Sequence, residues 1–111
     1  MPDRSPGKPQ SLETAELRSL RKKIDTLDRR LVVLLNERAE LARDAGRAKR
    51  AAGYRAIRDT EREREVLLRV TIANGGPLAQ ADLLSLYRRL FAATRALEAR
   101  DRDRTDPDRS E

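Results

Sequence analysis

The stretch from Leu17 to Ala48, LRSLRKKIDTLDRRLVVLLNERAELARDAGRA, decides the fold. Within it Leu17, Leu20, Ile24, Leu27, Leu31, Leu34, Arg38, Leu41, Ala45 and Ala48 follow one another by alternating steps of three and four. That step is the seam of a long α-helix packed against another helix. One member of the seam is an arginine. A seam position is where a guanidinium is most costly to desolvate, so Arg38 reads as having an anionic partner; the alternative is that it snorkels out and keeps its charge in water.

On either side of this stretch the composition changes. Met1 to Gln10, MPDRSPGKPQ, is rich in proline, and Arg100 to Glu111, RDRDRTDPDRSE, has almost nothing to bury. Residues 1–10 and 100–111 are therefore expected to be mobile, disordered tails around one helical domain at 11–99. The breakers Gly46, Gly53 and Asn74-Gly75-Gly76-Pro77 divide that domain into three helices. The first is predicted from an N-cap at Ser11 to about Ala52, tolerating Gly46 at a cost of ~1 kcal/mol. At 1.5 Å per residue it would be about 60 Å long, roughly twice the width of a compact domain of this size. The second opens near Asp59, a capping residue, and carries Val66, Leu67, Val70 and Ile72 toward the core. The third presents Leu83, Tyr87, Leu90, Thr94 and Leu97 as one stripe, with Leu84, Phe91 and Glu98 beside it. Two short helices cannot cover one so long, so the expected fold is all-α, with three helices, one very long, in a homodimer whose long helices pack together.

Composition fits that reading. Hydrophobic residues make up 38% of the 111 but aromatics only 3%, so the core is aliphatic, which suits helix packing. There is no cysteine, no run of 18 apolar residues and no signal peptide, so a soluble cytoplasmic protein is the default. Charged residues are 40% of the chain with a net of +6, which admits nucleic acid, anionic lipid or a small polyanionic substrate.

The informative polar residues are those placed where apolar ones are expected. Arg38 and Lys49 are almost three turns apart, about 16 Å along one face, so long side chains leaning together can hold two ends of one small ligand. Arg62 and Glu63 each lie one turn from Val66 and border the core side of the second helix. Thr94 and Glu98 follow Tyr87 and Phe91 at helical spacing. Each has a local explanation: Thr94 bonding its own i−4 carbonyl, Glu98 pairing with Arg102, the run Glu61 to Glu65 forming a solvated face. Jointly, so many cations and acids turned onto core faces point to a common purpose.

These residues carry a resemblance. Leu20-Arg21-Lys22-Lys23-Ile24-Asp25-Thr26-Leu27-Asp28, Leu34-Leu35-Asn36-Glu37-Arg38, Gly46-Arg47-Ala48-Lys49 and Ile57-Arg58-Asp59-Thr60-Glu61-Arg62-Glu63 resemble the all-helical chorismate mutases, over roughly Leu17 to Glu98. The resemblance implies an intertwined three-helix homodimer that converts chorismate to prephenate at the branch leading to phenylalanine and tyrosine. It implies that Arg38 grips a substrate carboxylate, that Lys49 contacts carboxylate and ether oxygen, and that Asp59, through its backbone, and Glu63 receive the ring hydroxyl. Arg62 matches a further site arginine. Arg21 matches a substrate-binding arginine that reaches in from the other subunit. The spacing agrees: Arg21 and Arg38 are about 25 Å apart on one helix, too far for one small ligand, so if both bind it two chains must build each site.

Registering the third helix on Leu86-Tyr87 puts Thr94 where the family commonly has a carboxylate-binding serine, and Glu98 where it commonly has a glutamine donating to the ether oxygen. Registering on Phe91 instead moves the pair to Glu98 and Arg102. The loop between Lys49 and Asp59 is about one residue longer than in the familiar form.

The implied reaction explains the residue types. A Claisen rearrangement needs no nucleophile, metal or redox cofactor, and none is expected here. It needs a flexible dianion held folded and negative charge on the breaking ether oxygen stabilised. Guanidinium forks suit carboxylates and a desolvated lysine suits the oxygen. Glu98 departs from the pattern, because a carboxylate must be protonated before it can donate.

Other readings remain open. A mutase acting on 4-amino-4-deoxychorismate is the nearest, since Asp59 and Glu63 could hold an amine, and isochorismate pyruvate lyase uses the same scaffold. A basic helical dimer binding nucleic acid or another helical protein is the non-enzyme reading. Against it stand charges that interleave in sign, as in Glu61-Arg62-Glu63-Arg64-Glu65, and little aromatic surface to stack bases. Neither nucleic acid nor membrane is therefore expected as a partner. A mutase of low activity that depends on a partner enzyme of its pathway is a further reading, for which the tails leave room and no residue argues.

Overall fold

The computed structural model describes residues 13–55 and 57–105. They form three helices, α1 (Ala15–Ala51), α2 (Thr60–Ala73) and α3 (Gln80–Thr105), with no strand among the described residues. The all-α expectation holds, and the ends of the helices follow local chemistry. The cap expected at Ser11 lies outside the described residues. Thr14 takes that role, its Oγ1 accepting the Leu17 N–H at 3.0 Å. α1 ends in a Schellman turn: the Tyr54 N–H donates to Lys49 O at 2.8 Å and the Gly53 N–H to Arg50 O at 3.0 Å. Gly53 sits at φ +95°, where a side chain would strain the backbone. Asp59 caps α2 as expected, Oδ1 accepting the Arg62 N–H at 3.0 Å. Asn74 closes it, its N–H donating to Val70 O at 3.0 Å.

The chain divides into two compact units, up to Arg38 and from Ala39 onward. The first is the leading part of α1 with the residues before it. Its seam positions Leu20, Ile24, Leu27, Leu31 and Leu34 are about half exposed in the single chain. Arg21 lies on the same stretch, paired with Glu13 at 2.9 Å.

The second unit holds the core, and that core is small. Phe91, 5% exposed, is its buried hydrophobic side chain, with Tyr87 edge-on to it at a centroid distance of 6.2 Å. α2 turns Glu63, Val66, Leu67 and Val70 inward. Ile72, expected inside, is 76% exposed, because it falls on the opposite face of α2 together with Leu68. On α1 the protected positions are Ala39, Ala42, Arg43, Gly46, Lys49 and Arg50, whereas Leu41, Ala45 and Ala48 of the seam face out.

The C-terminal tail expected from residue 100 is corrected. α3 continues to Thr105, and Asp101 is 4% exposed, the most protected charged residue in the described chain. Arg43 closes on it with both prongs of its fork, Nε to Oδ2 at 2.8 Å and Nη2 to Oδ1 at 2.9 Å, and Arg104 adds a contact at 2.8 Å. A run of alternating charges reads as solvated in sequence; here a partner 58 residues away takes one member of it inside. The expected tail at 1–10, and residues 106–111 of the other, lie outside the described residues. No helix among the described residues is long and apolar enough to cross a membrane.

Candidate active site

The site is built where α1 and α3 meet within the second unit. Gly46 is buried, and a Cβ there would lie 3.3 Å from Glu98 Oε1 and 3.4 Å from Glu98 Cγ and Cδ. The missing side chain is what lets the Glu98 carboxyl rest on the backbone of α1. Its surroundings pull in two directions. Burial pushes the Glu98 carboxyl above the ordinary carboxylate range, while Lys49, Arg50 and Arg95 pull it down and Asp101 pushes it up; burial prevails. Glu98, Gly46, Lys49, Arg50, Tyr54 and Arg102 line a common recess.

One cleft adjoins that recess, and a second adjoins the first cleft. The first, about 420 Å³, is lined by Lys49, Tyr54, Arg55, Arg58, Asp59 and Thr60. The other, about 350 Å³, includes Arg58, Glu63, Leu67, Arg88, Phe91 and Arg95. Lys49 lines both the recess and the first cleft, and Arg58 lines both clefts. Glu63 is held by guanidiniums on both oxygens: Arg95 bonds Oε2, and Arg58 Nε lies 3.4 Å from Oε1. Asp59 meets α2 twice, its side chain capping Arg62 and its carbonyl accepting the Glu63 N–H at 3.0 Å. Among the described residues no group of His, Cys, Asp and Glu side chains could hold a metal ion.

Of the residues singled out in the sequence, the second unit therefore brings Lys49 and Glu98 to one recess and Lys49 and Asp59 to one cleft. Glu63 stands at the neighbouring cleft. Thr94 is 7% exposed, but its hydroxyl is engaged with its own helix, 3.0 Å from Phe91 O and 3.2 Å from Leu90 O, the local alternative foreseen for it. Arg62 does not border the core: it pairs with Glu65 at 2.8 Å on the exposed face. One residue is 100° of helix, and Glu63, with Arg95 waiting on α3, takes the inward position instead. Arg102, the partner of Glu98 in the second registration, lines the recess and donates to Arg55 O at 2.9 Å. In the first unit, Arg38 is half-buried and Arg21 exposed.

Sequence reasoning missed Arg43, Arg58, Arg95 and Asp101. A signal existed for Asp101: the stripe Tyr87, Phe91, Thr94, Glu98 reaches it with one further step of three. For the pairing of Arg95 with Glu63 there was none.

Comparison with known proteins bears on this geometry. Residues 20–99 match the chorismate mutase type II family. The bifunctional chorismate mutase/prephenate dehydratase of Aquifex aeolicus is 40% identical over 87 residues, covering 75% of this chain and 24% of that protein. The enzyme of the same name from Stutzerimonas stutzeri is 36% identical over 90 residues, covering 78% and 25%. The chain thus spans about a quarter of the length of these curated relatives. Among solved structures, the chorismate mutase of Thermus thermophilus in its Form II superposes with a TM-score of 0.72 at 33% identity, over 77% of this chain and 96% of that one. Its Form I gives 0.68 at 32% identity, over 71% and 98%. With the match running from the seam of α1 through Glu98, this chain belongs to the chorismate mutase type II family.

Proposed function

We propose that the chain rearranges chorismate to prephenate, as a homodimer, with Lys49, Glu98 and Arg38 as its catalytic residues. The observation that carries this reading is the seating of Glu98 on Gly46 beside Lys49, in a domain that buries Thr94 and Asp101 along with Phe91. The reaction breaks the ether C–O bond and forms a C–C bond within one molecule, with no proton gained or lost overall. Its barrier falls when the dianion is held folded and the oxygen that gains charge faces fixed donors. Lys49 is one such donor. Glu98 is the other while protonated, the form that its burial favours. Arg38 grips a carboxylate, Asp59 and Glu63 take the ring hydroxyl, Arg21 reaches in from the partner chain, and Thr94 and Arg62 join the binding set when substrate draws them from the partners they hold in the single chain, Phe91 O and Glu65.

The exposed seam of α1 supports the dimer. Leu20, Ile24, Leu27, Leu31 and Leu34 form an apolar row that the single chain leaves about half exposed to water. Burying such a row contributes about 25 cal/mol per Å², which a second copy of the same helix supplies by symmetry. The proposed reading also puts the protein in the cytoplasm, in aromatic amino acid synthesis.

The test is the absorbance decay of chorismate with purified protein, with product identification, beside Arg38→Ala and Lys49→Ala. Saturable conversion to prephenate is expected. Removal of one donor should lower kcat by about 10²- to 10³-fold. Chorismate left unconverted by the wild-type protein overturns the reading.

A further inference from the structure

Glu63 reaches the site with both of its oxygens already engaged. It stands in the first turn of α2 with its side chain largely buried, Arg95 of α3 on Oε2 and Arg58 of the preceding loop at 3.4 Å from Oε1. The cleft around it has four guanidiniums in its lining, those of Arg58, Arg64, Arg88 and Arg95, and Glu63 as its carboxylate. The neighbouring cleft repeats the imbalance, with Lys49, Arg55 and Arg58 against Asp59. Asp59 is itself bound to the first turn of α2.

This arrangement treats a hydroxyl and an ammonium differently. A carboxylate has about four lone-pair positions, so one that receives a guanidinium on each oxygen still accepts an O–H. It has no uncompensated charge left for a cation. An ammonium brought to the same place meets the two guanidiniums at close range, and like charges brought together at a dry interface cost far more than they do in water. Without Arg95, Glu63 would be an ordinary anion suited to either group.

Resting on the proposed mutase activity, we propose that Arg95 determines specificity: acting through Glu63, it makes this wall of the site accept a neutral hydroxyl on the substrate ring and refuse a protonated amine at the same position. Arg95 is thus a positioning residue. Nothing in the family match assigns it a role, and it lay outside the residues that the sequence singled out.

The experiment compares chorismate with its 4-amino analogue on the wild-type dimer, Arg95→Leu and Arg95→Lys. It reads kcat/KM for each compound and the Ki of the analogue against chorismate. Both quantities are taken on the same preparation, so a loss of folded protein cancels in their ratio. Wild-type protein should favour the hydroxyl compound strongly. In Arg95→Leu the preference should shrink by about tenfold or more, the equivalent of ~1.4 kcal/mol, with the Ki of the analogue falling. Arg95→Lys, which keeps the cation, should stay near the wild-type ratio. A ratio unchanged in Arg95→Leu, or a wild type that binds the analogue as tightly as chorismate, overturns this inference alone. A wild type that neither converts nor binds chorismate overturns the proposed function, and this inference with it.

Discussion

Up to Arg38 the chain leaves a row of leucines and an isoleucine about half exposed, whereas from Ala39 onward its best-protected side chains are Asp101, Phe91 and Thr94, with Glu98 and Lys49 partly covered beside them. Burying polar groups costs free energy unless every one is paired, so an interior of this kind is a poor source of stability and a good place for chemistry. An apolar row on a long helix is the reverse: it offers stabilisation that only another surface can release. Our account therefore assigns stability to the seam of the first unit and chemistry to the interior of the second.

The largest way to break that assignment is to put a charge into the seam. Leu27→Asp should abolish the proposed dimer, lower helicity and eliminate turnover, since even Leu→Ala costs about 2–5 kcal/mol at a buried site and a dimer would contain the change twice. Sedimentation and circular dichroism check it; a Leu27→Asp protein that remains an active dimer would remove the seam from the account.

Next in size is the pH dependence of the interior. A carboxyl whose native pKa is raised is protonated below that pKa and loses its proton as pH rises through it. If Glu98 donates to the ether oxygen, kcat should be highest below its raised pKa and fall about tenfold per pH unit above it. Glu98→Gln, a permanent donor, should flatten the profile. A wild-type rate that stays level between about pH 5 and 8 would sink the donor role of Glu98.

A smaller effect separates charge that holds the fold from charge that does chemistry. Arg43 on both oxygens keeps the Asp101 carboxyl below its ordinary pKa, so its stabilisation is present above the unfolded value of about 3.9 and is lost as pH falls through the native value. Asp101→Asn should therefore unfold at lower urea concentration than wild type at neutral pH, and the gap should close on acidification. A gap that is the same at both ends would mean that the clasp acts by shape rather than by charge.

The smallest prediction concerns Gly46. Alanine gains up to about 1 kcal/mol of helix propensity, but its Cβ would press on Glu98 at 3.3 Å. Gly46→Ala should keep or raise the thermal midpoint while kcat falls several-fold. If kcat instead holds at the higher stability, Glu98 has room to spare and its fit to α1 is not part of catalysis.

What could be read from sequence was what is local. The caps at Asp59 and Asn74 and the inward phase of Lys49, Glu63 and Glu98 all follow from spacing within one helix. Arg62 was misplaced because it and Glu63 border the same face, and only α3 decides between them. The Arg43–Asp101 and Arg95–Glu63 pairs were not legible, since each joins residues of different helices in a chain where 40% of the residues are charged and a great many pairings are chemically reasonable. The boundary set at residue 100 failed for the same reason, because without Arg43 the sequence RDRDR is indistinguishable from a solvated end.

The central claim is that two chains, joined through their exposed seam, build the site in which chorismate rearranges. Its most direct test is the specific activity toward chorismate across a dilution series, measured alongside the sedimenting mass. The account predicts conversion to prephenate in proportion to the dimer fraction, falling away as the protein dissociates. Undiminished conversion by a sedimenting monomer, or a stable dimer that leaves chorismate untouched, would contradict it.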